Sequence, residues 1–204
     1  MDEKIIEKWI QQLSKEENLL KKSLKAVAIL TELLKERGIK PILVGGRALE
    51  FYTLGGYATK DIDLVINGRE YAKEALEKMG FKKLSGERHW YNTDLDLAIE
   101  IPDEYLAGST DKLTSIEIDG MHVFVIGIED LILDRLAAAK FWESMQDAEW
   151  AIKLIALHYN DIDFDYLKKE AYEHQVEDIL NNTIEKSSNY IKKIRNDYKK
   201  KCED

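Results

Sequence analysis

Apolar residues recur at helical spacing from the start of the chain: Ile6, Trp9, Ile10 and Leu13 within residues 3–14, then Leu20, Leu24, Val27, Thr31 and Leu34 within residues 17–37. Steps of three and four place each set on one face, so two amphipathic helices are predicted. Gly38 is placed to cap the second, and Pro41 opens the apolar run Ile42-Leu43-Val44. That run is too short for a helix and is bounded by glycines, which predicts a buried strand. Residues 47–54 read as helix, Gly55-Gly56 breaks it, and Asp61 to Ile66 alternates acid with apolar residues as a second strand ended by Asn67-Gly68.

Residues 69–79 carry Tyr71, Ala72, Ala75, Leu76 and Met79 on one helical face, with Gly80 as the stop. Extended runs follow at Arg88–Asn92, Leu95–Ile101 and Leu113–Ile126, the last folded by Asp119-Gly120, a strong hairpin signal. From Glu129 onward the period is helical, through Leu131, Ile132, Leu136 and Ala139 and then Trp150, Leu154, Ile155 and Leu157. Strands followed by helices predict an α+β chain: N-terminal helices over residues 1–37 packed on the core, a sheet domain over 38–128, and a helical region over 129–204.

Composition narrows the class. Of 204 residues, 45% are hydrophobic and 34% charged, and no apolar stretch is long enough to cross a bilayer, so a soluble globular protein without a membrane partner is expected. The first residues form neither a signal nor a transit peptide, and the single cysteine, Cys202, excludes an internal disulfide. A cytoplasmic location is the corresponding expectation. A net charge of −9 argues against coating the whole surface with nucleic-acid backbone, though not against a local basic patch.

Two short motifs carry the candidate chemistry. A strand that ends in Gly45-Gly46 and turns into a helix presents backbone N–H groups at the positive helix end, with no side chain to keep phosphate oxygens away. A plain turn is the other reading of that glycine pair. Asp61-Ile62-Asp63 puts two carboxylates on one face of a strand, about 7 Å apart, where they can share one or two magnesium ions. Its bland alternative is an edge strand with a solvated acidic face. The order of parts favours the functional pair: strand, glycines, helix, a loop with Thr59, then the Asp-x-Asp strand, which brings glycines and carboxylates together.

Leu43-Val44-Gly45-Gly46-Arg47-Ala48-Leu49 followed by Ala58-Thr59-Lys60-Asp61-Ile62-Asp63-Leu64 resembles the nucleotidyltransferases of the polymerase-beta type. Within that superfamily the chain looks most like the prokaryotic group that includes the toxin nucleotidyltransferases of abortive-infection systems. The resemblance, over roughly residues 24 to 155, implies a mixed sheet flanked by helices, a nucleoside triphosphate as substrate and Mg2+ held by Asp61, Asp63 and a third carboxylate. It implies transfer of a nucleoside monophosphate to a hydroxyl on an RNA 3′ end, a protein or a small molecule, with Gly45 and Gly46 on the nucleotide; Arg47 beside them is a further candidate for nucleotide binding. The alternative is a catalytically silent relative that serves as a binding or toxin-antitoxin partner.

Glu100 and Asp96 are the candidates for the third carboxylate. If their strand runs antiparallel to the Asp61 strand, Glu100 lies nearest the aspartates and Asp96 about 13 Å further down, so Glu100 is preferred. Two departures from the family pattern stand out. Arg135 occupies the place of a basic residue that often faces the nucleotide, and it can equally pair with Asp134 or Asp130. Arg47 follows the glycines where a small residue is common; it can grip a phosphate bidentately or form a structural ion pair.

Other features are weighed and set aside. Asp161 to Asp165 alternates acids but lacks the glycine and glutamate of a calcium loop, so it reads as a helix cap. His89, His122, His158 and His174 have no metal-ligand spacing. Lys186 to Lys201 is basic with Tyr190 and Tyr198 interleaved, and reads as a solvated helix end or an RNA contact. Trp90, Trp142 and Trp150 read as core or interface residues.

Overall fold

The structure, a computed structural model, describes residues 2–84 and 88–201, with side chains described to residue 192. The chain divides into two compact units, Met1–Gly127 and Ile128–Asp204.

The first unit opens with α1 (Glu3–Leu13) and α2 (Leu19–Leu34). Each is started by a side-chain cap that satisfies an otherwise orphaned amide: Asp2 accepts from the Lys4 N–H, and Asn18 from the Lys21 N–H at 2.9 Å. A short 3-10 turn, Lys35–Arg37, ends α2, and Gly38 closes it with φ of +67°. Then follow β1 (Ile42–Val44), α3 (Gly45–Tyr52), β2 (Asp61–Val65), α4 (Arg69–Lys78), β3 (His89–Asn92), β4 (Leu97–Glu100), β5 (Thr114–Ile118) and β6 (Met121–Val125).

These strands form one mixed sheet in the order β3-β4-β2-β1-β6-β5. Strand β1 is antiparallel to β2 and parallel to β6, while β2 is parallel to β4. Asp119 and Gly120, both at positive φ, turn the β5–β6 hairpin as their sequence predicts. Cross-strand register sorts the side chains into two faces. Leu43, Leu64, Ile62, Ile99, Trp90 and Val125 share the buried face, all at 7% exposure or less. Each side chain buried there contributes roughly 1.5–3 kcal/mol. Helix α2 packs on β6 and α4 and supplies Ala26, Val27 and Leu30 to the core. The opposite face carries Asp61, Asp63, Ala98, Glu100, His89 and Tyr91.

The run predicted as one strand from Leu95 begins only at Leu97. The buried Asn92 side chain explains the difference: its Oδ1 accepts the Asp94 and Leu95 N–H groups at 3.1 and 3.0 Å, and its Nδ2 donates to the Met79 carbonyl. This closes a turn in which Asp96 takes φ of +53°.

The second unit consists of α5 (Ile128–Phe141), α6 (Met145–His158), α7 (Phe164–Glu173) and α8 (Glu177–Lys201). Asp163 caps α7 through the Tyr166 N–H, and its own N–H donates to Glu129 at 2.8 Å. Tyr166 Oη donates to Asp130 Oδ1 at 2.7 Å, which ties α7 to the start of α5. Trp142, read as a core or interface residue, is 82% exposed at the α5–α6 turn, beside Glu143 at positive φ. None of the described helices is long and apolar enough to cross a membrane.

Candidate active site

The site grows from the end of β1. Val44 is the last extended residue, and Gly45, at φ of +61°, reverses the chain into α3. No side chain caps this helix start. The Gly46 N–H donates to the Asp63 carboxylate instead, so an acid from the next strand meets the positive helix end. Gly45 is needed for this approach, and Gly46 lies close against its neighbours. A Cβ at Gly45 would fall 2.4 Å from Asp63 Oδ2, and one at Gly46 would crowd Thr59 and Tyr57 at 3.2 Å. The space left by the absent side chains is thus faced by protein atoms as well as by any ligand.

Asp61 and Asp63 alternate with the fully buried Ile62 and Leu64, which fixes both carboxylates on the opposite face. Glu100 stands directly beside Asp63 in the β2–β4 register. The expected antiparallel pairing is corrected: β4 runs parallel to β2, because α4 and β3 return the chain before β4 begins. Glu100 reaches Asp63 by register, and Asp96 lies in the turn before the strand.

The three acids repel one another. Burial pushes the Asp63 carboxyl above its usual range, the charge of Glu100 adds to this, and Asp61 adds further; the Gly46 N–H and His89 act in the opposite sense. Glu100 turns to the far side, where Arg88 Nη2 reaches Oε1 at 2.8 Å and His89 Nε2 reaches Oε2 at 3.1 Å. With Asp63 on Gly46 and Glu100 on these two bases, no three acidic, histidine or cysteine side chains among the described residues converge tightly enough to hold a metal ion. The donor set nevertheless suits a hard divalent cation: oxygen ligands on one face, on neighbouring rungs, with like charges a cation would relieve.

Arg47 takes the structural course of its two alternatives. Its side chain is fully buried, Nη1 pairs with Glu50, and Nη2 donates to the Lys60 carbonyl at 3.1 Å. It thereby ties α3 to the residue before Asp61. Arg135 pairs with Asp134 and with Asp147 at 2.8 Å, while Asp130, the other acid considered for it, accepts Tyr166. Of the basic tail, Lys186 and Lys192 are exposed; the side chains of Lys193, Arg195, Tyr198 and Lys199 to Lys201, and Cys202, lie outside the described residues.

Arg88 and His89 were not legible as site residues. The histidines were read only for zinc spacing, and the signal that finds His89 is its cross-strand position opposite Glu100. Glu50 was likewise missed, although a carboxylate three residues after an arginine on a helix is a recognisable pair.

Comparison with known proteins bears on the family and the fold. A family model described as "Nucleotidyltransferase of unknown function (DUF6036)" matches residues 22–203. No curated protein matches the chain. Among solved structures, an antigenic nucleotidyltransferase-like protein from Paracoccidioides brasiliensis is similar with a TM-score of 0.55 at 16% identity, over 83% of this chain and 93% of that one. The antibiotic-resistance factor ANT(2'')-Ia is similar with a TM-score of 0.50 at 15% identity, over 78% of this chain and 95% of that one.

Proposed function

Since the chain belongs to that nucleotidyltransferase family, a class of transferase enzymes, we propose that the β2–β4 face moves a nucleoside monophosphate from a nucleoside triphosphate to a hydroxyl acceptor. The observation that carries this reading is the register Asp63↔Glu100, with the start of α3 against Asp63. It sets three carboxylates and a helix N-terminus around one patch of sheet.

In this reading Asp61, Asp63 and Glu100 would hold Mg2+, as one or two ions. The bound cation would supply charge neutralisation on the triphosphate and a clamp on attacking and leaving oxygens. The Gly46 N–H, which Asp63 accepts here, and the other first-turn amides of α3 would be available to phosphate oxygens were Asp63 to hold the cation. The acceptor oxygen forms its bond to the α-phosphorus, and the bond to the bridging oxygen breaks. Pyrophosphate leaves with that electron pair, and Glu100 takes the hydroxyl proton. Arg47 takes no part on the substrate; it holds the Lys60 carbonyl and so the start of β2.

Thermal unfolding with magnesium and each triphosphate tests the proposal. The wild type is expected to be stabilised only when both are present, and the Asp61→Ala/Asp63→Ala variant not at all. A wild type indifferent to the pair of ligands sinks the enzyme reading in favour of a silent binding protein. Incubation with labelled triphosphate and cell RNA, protein or small-molecule extract then identifies which fraction receives label.

A further inference from the structure

We propose that the groove beside Asp61 on the β3–β4 side is the acceptor site and takes a single uncharged polyol ring rather than an RNA end. This rests on the transfer reading of the carboxylates given above. One rung below the Asp63–Glu100–His89 row lies a second row, Asp61–Ala98–Tyr91, fixed by the same strand register. Ala98 is the small member, and its methyl leaves a trough between the Asp61 carboxylate and the Tyr91 ring. The resulting groove, about 310 Å3, is lined also by Asp96, Lys60 and Leu19.

Its size is at the lower limit for ligand pockets and suits one ring with its substituents. Its position suits attack. Ala98 and Glu100 are two residues apart on one face, so a ring on Ala98 lies within about 7 Å of the residue that takes the proton. A hydroxyl at the upper edge of such a ring reaches that rung.

The lining chemistry selects the ligand. Tyr91 is 40% exposed and lines the groove, where an aromatic ring can serve as a platform for the C–H face of a sugar or cyclitol. The Asp96 carboxylate and the Lys60 ammonium make no hydrogen bond or ion pair among the described residues, so both are free to meet ligand hydroxyls, one as acceptor and one as donor. One acid and one base cancel, and Asp61 is matched by the cation, which favours a ligand without net charge. A nucleic-acid strand would bring phosphates past Asp96 on a chain of net charge −9, with Lys60 as the one cation among the described residues that line the groove.

The test uses full-length protein with carbon-13 alanine methyl groups, magnesium and a non-hydrolysable triphosphate; the Ala98→Gly variant identifies the Ala98 resonance. Glucose and myo-inositol are the polyol probes and a short oligoribonucleotide the competitor. The expected result is a saturable shift of the Ala98 methyl with polyol, weakened about five- to tenfold in Tyr91→Ala. An oligoribonucleotide that moves this methyl at lower concentration, or polyols that leave it in place, overturns the assignment. Stabilisation by magnesium and triphosphate, followed in the same preparation, separates a wrong acceptor groove from a wrong active site.

Discussion

The Asp63 carboxylate fills the space that a side chain at Gly45 would need, since a Cβ there would lie 2.4 Å from Asp63 Oδ2. The glycine is required twice, by this contact and by its φ of +61°. Gly45→Ala is therefore expected to cost about 1–2 kcal/mol from backbone strain alone and to push Asp63 out of its rotamer. Urea unfolding should show the loss, and stabilisation by magnesium and triphosphate should vanish with it. A variant as stable and as responsive as the wild type would show that Asp63 need not sit where it does.

Asp63 carries a pH signature. Its carboxyl is raised in the folded protein by burial, then by Glu100 and Asp61, so the folded state holds its proton to higher pH than the unfolded state does. The native form binds more protons in that window, and stability must fall as pH rises through it. In chelator, Asp63→Asn is expected to melt above the wild type at neutral pH. The difference should shrink as pH falls and close below the ordinary aspartate range, where wild-type Asp63 is neutral in both states. A gain that persists at low pH would point to packing rather than charge.

Arg47 and Glu50 form a buried pair with a further bond to the Lys60 carbonyl. Removal of one partner strands the other, so Arg47→Met is expected to cost about 3–5 kcal/mol by chemical denaturation. Arg47→Met/Glu50→Leu should recover much of that cost, because the stranded charge is gone. If the double variant is no better than the single one, the bond to Lys60 and not the ion pair sets the cost.

In the proposed transfer Glu100 both holds the cation and takes the hydroxyl proton, and Glu100→Gln preserves shape while it removes the charge that both roles need. Turnover is expected to fall about 10²- to 10⁴-fold, with KM for triphosphate changed far less. A raised KM with turnover unchanged would make Glu100 a substrate-binding residue and not the proton acceptor.

Much of the first unit could be read from the residues because its signals are local. Period-two alternation in Asp61 to Val65 dictates two faces wherever the strand lies, and Asp119-Gly120 dictates a hairpin. Direction of pairing is a different matter. Nothing in Leu97–Glu100 encodes whether it meets β2 parallel or antiparallel; α4 and β3 decide that. The Asp96 turn depends on Asn92, whose amide spends its bonds on three backbone groups that lie together only after folding. Arg88 and His89 illustrate the same limit, because their role exists only across the strand from Glu100. Arg47 was undecidable for an opposite reason: a guanidinium serves an ion pair or a phosphate equally well until its burial is known.

Asp63 and Glu100 project from adjacent hydrogen-bonded strands, so the gap between their Cα atoms is the ladder spacing, about 4.8 Å. That length belongs to the peptide group and is the same whatever side chains pack beneath. Exchange of Ile62, Leu64 or Ile99 for other apolar residues can weaken the protein, yet it has little means of widening or narrowing the jaws. The tool keeps its gauge while the handle is recarved, and the edge hairpin that carries Tyr91 and Asp96 is left as the part where new specificity can be cut.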